Sequence, residues 1–376
     1  MSSCQVNSKI PIKIVLNLQP INIQNYFMIT PINTALCSFG MSGLVFHAPF
    51  LIVNPHFNFY ADWERTKNIA EEKYPGVKTY RTLETMLADD SIELVIVNTP
   101  NYTHYDYAKK ALEAGKHVII EKPFTVTVEE GKELIEVAGR QNKKLSVYQN
   151  RRYDSDYKTI KKVLDQNLLG ELVEVEMHFD RFKEELSPKL HKENPGPGAG
   201  SLYDLGSHLI DQALQLFGMP QKIFADIRII RPGSRVADYW EILFYYETLR
   251  VRLKSSYVVR EALPGYILHG LKGSFIKAKT DVQETMLQKG FSPGGNDWGI
   301  EPEIEKGLLH TEINGKIIRE YIESEQGNYG EYYDAIYGAI RNDEPLPVKA
   351  EEGLSVIQII EAAYESDKAQ WAVELL

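Results

Sequence analysis

From Ile32 onward the chain alternates short apolar runs with amphipathic ones. Runs of strand character cover 33–39, 57–62, 93–98, 117–121 and 144–149, with stretches of helical periodicity between them. Continuous apolar runs need cover on both faces, and strand–helix alternation supplies it through right-handed crossovers onto a parallel sheet. One helix start is well marked: Thr127-Val128-Glu129-Glu130 fits a capping box ahead of an amphipathic run to about Arg140. After Asn150 the pattern changes. Residues 173–179, 222–230, 242–246, 251–258 and 273–278 alternate apolar with polar positions and have few helices between them. That pattern predicts a large, mostly antiparallel open sheet with one face on the core. Two helices belong to this half: 202–217, with Leu205, Leu209, Ala213 and Leu216 on one stripe, and 350–368, which packs back on one domain or the other. The fold class is therefore α/β, a doubly wound parallel sheet followed by an α/β domain.

At 376 residues the chain exceeds one ordinary core and suits two domains, 28–150 and 151–376. Residues 1–27 carry Pro11, Pro20 and scattered Asn and Gln without a continuous apolar stretch. They read as an extension before Met28, either genuine or the product of a misplaced start. With 43% hydrophobic and 25% charged residues the composition is that of an ordinary globular protein. A net charge of −10, with no lysine- or arginine-rich run, disfavours nucleic acid and anionic membrane and leaves small molecules as partners. Cys4, in the extension, and Cys37, in an expected core strand, give no disulfide framework or zinc spacing. A reducing, cytoplasmic setting fits. No apolar stretch reaches the roughly 18 residues of a membrane span, and no pair of histidines stands at metal-ligand spacing.

Candidate chemistry gathers at two short words. Glu121-Lys122-Pro123 ends the apolar run 117–121, which places the Lys122 ammonium at the carboxyl edge of a parallel sheet, where open α/β sheets bind ligands. Asp204-Leu205-Gly206-Ser207-His208 opens the 202–217 helix after the loop Asn194-Pro195-Gly196-Pro197-Gly198-Ala199-Gly200. Asp204 and His208, one helical turn apart, share a face. That face offers a fixed anion and a group that titrates near neutral pH. Taken singly, His208 reads equally as a core histidine bonded to a backbone carbonyl, and Lys122 as a surface ion pair with Glu121 or Glu129. Their joint placement favours a site.

A cofactor turn is also legible. The first strand runs into Ser38-Phe39-Gly40-Met41-Ser42-Gly43, an S-x-G-x-x-G version of the turn whose glycines let backbone amides approach a pyrophosphate. Glu64 lies about 20 residues beyond Gly43, the offset of a ribose-binding acid. Arg65 beside it would instead pair with a 2′-phosphate, so NAD and NADP both stay open. Thr99-Pro100-Asn101 follows the strand 93–98 and suits a loop under a nicotinamide ring, although Asn101 or Thr103 would equally cap the next helix. Arg151 either faces the substrate or, with Arg152, pairs with Asp154 and Asp156 as a solvated helix start. Tyr203 and Trp298 are core aromatics or sugar-stacking ones, and Lys189, His191 and Lys192 form a lid or a charged loop face.

These residues together resemble the Gfo/Idh/MocA family of glucose-fructose oxidoreductase and inositol dehydrogenase relatives. The resemblance spans about Thr34 to Ser366. It rests on the glycine turn before Val45-Phe46-His47-Ala48-Pro49, on Thr99-Pro100-Asn101, on Glu121-Lys122-Pro123 and on Gly200 through Asp211. Tyr148 to Asp154 and Leu202 to Gly218 are most similar to the NADP-dependent scyllo-inositol dehydrogenase branch. Two positions depart: Ser38 stands where a glycine is expected, and Glu64 where the NADP-using branch tends to carry a small neutral residue. The resemblance implies an amino-terminal Rossmann domain that holds NAD or NADP with Gly40, Met41, Ser42, Gly43, Glu64, Arg65, Thr99, Pro100, Asn101, Glu121 and Lys122. It implies a second domain that makes homo-oligomers through its sheet, and oxidation of a sugar or cyclic polyol hydroxyl. Lys122, Asp204 and His208 would be catalytic and, with Arg151, substrate-binding. His208 would take the hydroxyl proton, Lys122 would stabilise developing charge and Asp204 would bind a neighbouring hydroxyl. The rivals are a nucleotide-sensing regulatory protein without catalysis and a reductase of a non-sugar substrate on the same fold.

Overall fold

The structure, a computed structural model, describes residues 30–187 and 193–375. The expectations for 1–27, Cys4, Lys189, His191 and Lys192 lie outside the described residues. β1 (Ile32–Leu36), β2 (Phe57–Trp63), β3 (Lys78–Tyr80), β4 (Leu94–Val97), β5 (His117–Glu121) and β6 (Leu145–Tyr148) form a six-stranded sheet in the order β3-β2-β1-β4-β5-β6. Every pairing in it is parallel. Leu94 through Val97 and Val118 through Ile120 are buried without a gap, and each such side chain contributes about 1.5–3 kcal/mol by leaving water. Strand order reverses between β1 and β4, which opens a crevice beyond their carboxyl ends. The expected glycine turn and the Thr99-Pro100-Asn101 loop both lie there.

The second sheet is larger. β7 (Leu172–His178), β8 (Lys222–Arg228), β9 (Tyr239–Tyr245), β10 (Arg250–Ser256), β11 (Tyr266–Gly270), β12 (Gly273–Lys277), β13 (Gly307–Ile313), β14 (Lys316–Ile322) and β15 (Val373–Glu374) run in the order β14-β13-β12-β11-β7-β10-β9-β8-β15. Only β7 and β10 pair in parallel. Alternation is plain in β9, where Trp240, Ile242 and Phe244 are fully buried while Tyr239, Glu241 and Leu243 are only half so. The helix Ser207–Phe217 packs on β10. The helix Ala350–Ala369 packs on β8, on β6 and on the helix Val128–Gln141, so it bridges elements of both sheets. The capping box is present as read: Thr127 accepts from the Glu130 amide and Glu130 accepts from the Thr127 amide, each at 3.2 Å.

Several boundaries differ from the sequence reading. β1 ends at Leu36, so Cys37 lies just past the strand, buried, its thiol pushed up to about 12 by that burial. β3, β11, β13, β14 and β15 were not anticipated. β3 spans only Lys78–Tyr80, and β14 leaves most of its side chains in water, so neither carries a core-facing alternation to read. The 202–217 segment is not α-helical throughout: Leu202–Gly206 is a π turn, and the α-helix begins at Ser207. Such wide turns recur at functional sites, and Gly43–His47 is a second one, directly after the glycine turn.

Candidate active site

Lys122 leaves the end of β5 and reaches the π turn of the second domain. Its Nζ donates to the Asp204 carbonyl at 2.7 Å and lies 3.3 Å from Asp204 Oδ1. This replaces the surface pair with Glu121 or Glu129 that the sequence left open. The two side chains are 17% and 36% exposed, so the pair is screened on one side and positions more than it stabilises. His208, one turn further along the helix, is buried. Its Nδ1 has no hydrogen-bond partner among the described residues, which removes a backbone carbonyl as that atom's anchor. Burial, and then the positive charges of Lys122, Arg151, Lys279 and Arg181, hold the imidazole well below its usual range. The expectation that His208 titrates near neutral pH is thus corrected, because a desolvated ring among cations resists a further proton. Lys279 and Arg181 were missed by sequence reasoning, since nothing near them in the chain ties them to the helix.

The two arginines after β6 are not a solvated helix start. Arg151 donates to Tyr329 Oη at 2.8 Å, lies 3.5 Å from Asp154 Oδ1 and pairs with Glu284. Arg152 grips Asp211 at 2.6 and 2.8 Å and reaches Glu352 at 3.4 Å, with 9% of its side chain exposed. Asp211 lies on the His208 helix, and its neighbour Gln212 donates to the Arg151 carbonyl at 2.9 Å. The helix is thereby clamped to the turn that follows β6. Tyr203 donates to the Val126 carbonyl and Trp298 to Gln283, and both are core residues.

The glycine turn has the packing of a cradle. A Cβ on Gly43 would stand 2.6 Å from the Ser38 carbonyl and 3.0 Å from Asn98 Nδ2, whereas one on Gly40 would meet only Ser38 Oγ, at 3.6 Å. Ser38, in place of a glycine, accepts from the Gly40 amide through its hydroxyl at 3.3 Å. Gly40 and Met41 are exposed, and Ser42 donates to Glu121. Glu121 also accepts from the Lys122 amide at 3.2 Å and meets His47 Nε2 at 3.0 Å, while His47 Nδ1 meets Tyr333 Oη at 2.7 Å. Burial alone would push Glu121 up, but His47, Ser42 and Lys122 hold it below the usual carboxylate range.

Asn101 does not cap its helix: its amide donates to the Gly198 carbonyl at 2.6 Å, joining the loop after β4 to the glycine-proline loop. Thr99 is paired with Thr103 at 2.6 Å, and Pro100 is exposed. Glu64 follows β2 but turns inward, accepting from the Ala70 amide at 3.1 Å. Asp62 beside it is fully buried and pushed up to about 7, chiefly by burial. Arg65 is exposed. Open backbone at Gly40 and Met41, the tight Gly43 and a buried Asn98 Oδ1 without a partner among the described residues fit a dinucleotide along Gly40–Gly43, Arg65 and the 99–101 loop.

Comparison with known proteins agrees with the two-sheet architecture. The oxidoreductase-family model for an NAD-binding Rossmann fold matches residues 32–149, and that for the family's C-terminal α/β domain matches 161–375. The chain is 38% identical over 344 residues to scyllo-inositol 2-dehydrogenase (NADP(+)) IolW of Bacillus subtilis, covering 92% of this chain and 96% of that protein. A crystal structure of an oxidoreductase from Bacteroides fragilis superposes with a TM-score of 0.85 at 46% identity, covering 92% of this chain and 100% of the other. That of YvaA from Bacillus subtilis gives 0.88 at 36% identity, with the same coverages. With both halves matched and relatives covered nearly end to end, the chain belongs to the Gfo/Idh/MocA family of NAD(P)-dependent oxidoreductases.

Proposed function

We propose that the protein is a dehydrogenase acting on a secondary hydroxyl of a sugar or cyclic polyol, with Lys122, Asp204 and His208 as its catalytic residues. The observation that carries this reading is the contact of Lys122, just past the end of β5, with Asp204 of the π turn, beside a buried histidine with one ring nitrogen unpaired among the described residues. A bound nicotinamide would supply the hydride acceptor, or in reverse the donor, for the alcohol carbon. His208, neutral before reaction and so with a ring lone pair free, accepts the hydroxyl proton as that carbon becomes a carbonyl, and as a weak base among cations it gives that proton up again readily. Lys122 donates to the same oxygen while negative charge develops on it. Asp204 orients the Lys122 ammonium and accepts from a neighbouring hydroxyl. Arg151, held by Tyr329, Asp154 and Glu284, lines the substrate side through its positive charge.

The relative named scyllo-inositol 2-dehydrogenase supports an inositol-like substrate. In this reading 28–150 carries the cofactor and 151–376 the substrate. The outer face of the second sheet, with Val173, Ile317 and Tyr321 exposed, makes a homo-oligomer. A free, buried Cys37 suits a reducing, cytoplasmic compartment. Among the described residues no helix is long and apolar enough to cross a membrane. A panel of polyols and sugars with NAD and NADP, followed at the absorbance of reduced nicotinamide, tests the assignment. Turnover of an inositol-like polyol is expected. Tight cofactor binding without turnover of any alcohol would replace the reading with a regulatory protein or a reductase of another substrate class.

A further inference from the structure

The carboxyl edge of the parallel sheet holds a side chain that the mechanism above does not use. Glu121 and Tyr148 are register partners at the ends of β5 and β6, and both turn to His47: Glu121 Oε1 lies 3.0 Å from its Nε2, and the Tyr148 ring centroid 4.7 Å from its own. Successive side chains of a strand alternate between faces. Lys122, the first residue after β5, turns away from His47 and reaches Asp204 instead. The next residue after β6 is Gln149. It is 1% exposed, and both its amide oxygen and its amide nitrogen are buried without a hydrogen-bond partner among the described residues. Its main chain is fixed, with the amide bonded to Val147 and the carbonyl accepting from Arg152.

A glutamine amide offers two donors and two acceptor lone pairs. Leaving such a group buried and unmade is costly, and native proteins keep few of them. A hydroxyl donates and accepts at once, so it matches an amide that needs both. We infer that Gln149 is a specificity-determining residue that hydrogen-bonds a hydroxyl of the substrate beside the one held by Lys122. This rests on the polyol reading of the same site. It narrows the substrate to one that carries a vicinal hydroxyl on the Lys122 side.

The test uses the full chain, the best polyol of the panel and two substitutions. Gln149→Met keeps the volume and removes the amide, and Gln149→Asn keeps the amide and withdraws it. Gln149→Met should raise the polyol KM about tenfold or more, leave the cofactor KM within about twofold and leave the melting temperature of the ligand-free protein unchanged or higher. Gln149→Asn should fall between it and the parent. An unchanged polyol KM overturns the inference. A rise in cofactor KM alone overturns it in favour of a contact to the nicotinamide amide, and a lower melting temperature with unchanged KM in favour of a structural amide. Should the parent protein turn over no polyol, the failure lies in the functional reading, is seen before any variant is made, and removes this inference with it.

Discussion

His47 Nε2 and the Glu121 carboxylate stand 3.0 Å apart, the histidine fully buried and the glutamate side chain 13% exposed. Glu121 is therefore not only the residue before the lysine. It accepts from Ser42 of the glycine turn and from the Lys122 amide, so one carboxylate ties the cofactor turn to the strand end that carries the lysine. Tyr333, from the helix Gly330–Arg341, holds the other ring nitrogen.

Removing the histidine should therefore be felt through Glu121. In the parent the Glu121 carboxyl lies below its unfolded value. Its contribution to stability is fully present above the unfolded value and is lost as pH falls through the folded one. In His47→Gln the main partner opposing burial is weakened and the folded value rises. Chemical denaturation between pH 3 and 6 should show the acid loss of stability beginning at higher pH than in the parent, with kcat lowered as the Lys122 backbone loosens. Coincident acid limbs in the two proteins would show that His47 does not govern Glu121.

How much of this was legible follows from what each residue contacts. The strand runs, the capping box and the words around Lys122 and His208 are local: periodicity and neighbour identity carry them. The fold class follows from that. The state of His208 is not local, because Lys279 and Arg181 enter its surroundings from distant strands and loops, and no spacing in the chain announces them. Arg152 misled for the same reason. Asp154 and Asp156 are close in sequence, but the partners chosen are Asp211 and Glu352, and a buried bidentate pair leaves no trace in a window of neighbours. His47 was visible only as part of a family word. Its role depends on a π turn and on a tyrosine from the far end of the chain.

The pH profile is the most direct check on His208. A ring held well below its usual range stays neutral across the physiological range. Alcohol oxidation at saturating cofactor should therefore show no histidine limb between about pH 6 and 8, and should fall only in more acid solution. His208→Ala and Lys122→Ala should each lower kcat by on the order of 10² with cofactor affinity nearly unchanged. Asp204→Asn should act more on KM. A limb centred near the ordinary histidine value in the parent, absent from His208→Ala, would overturn the reading of a depressed ring. A parent-like kcat in His208→Ala would remove it from the chemistry.

Gly43 and Gly40 separate folding from binding. At Gly43 any side chain meets the Ser38 carbonyl at 2.6 Å, so Gly43→Ala should distort the turn itself and lower both the melting temperature and cofactor affinity. At Gly40 the nearest atom is a hydroxyl at 3.6 Å, which a methyl tolerates. Gly40→Ala should keep the melting temperature and still weaken NAD(P)H binding, because the added methyl stands where backbone must approach the pyrophosphate. Fluorescence titration of reduced cofactor reads this. Unaltered affinity in Gly40→Ala would take that residue out of the cofactor site.

Cofactor preference is expected to be decided just beyond β2. A carboxylate presented there would bind the ribose hydroxyls and repel a 2′-phosphate, but Glu64 is buried with its carboxylate on the Ala70 amide. Asp62, pushed up to about 7 by burial, carries less negative charge near neutral pH than an ordinary carboxylate, which weakens its repulsion. Arg65 remains exposed at the same edge, with a planar fork suited to phosphate. NADP should accordingly be favoured over NAD. Arg65→Ala should raise the KM for NADP about tenfold and leave that for NAD nearly unchanged, since a charge-assisted hydrogen bond contributes about 1.5–3 kcal/mol. Glu64→Gln should move the ratio of the two kcat/KM values little and cost stability instead, as the Ala70 amide loses its charged acceptor. If Glu64→Gln shifts preference strongly towards NADP while Arg65→Ala does nothing, the glutamate turns out to the ribose when cofactor binds, and the buried arrangement is not the one that selects.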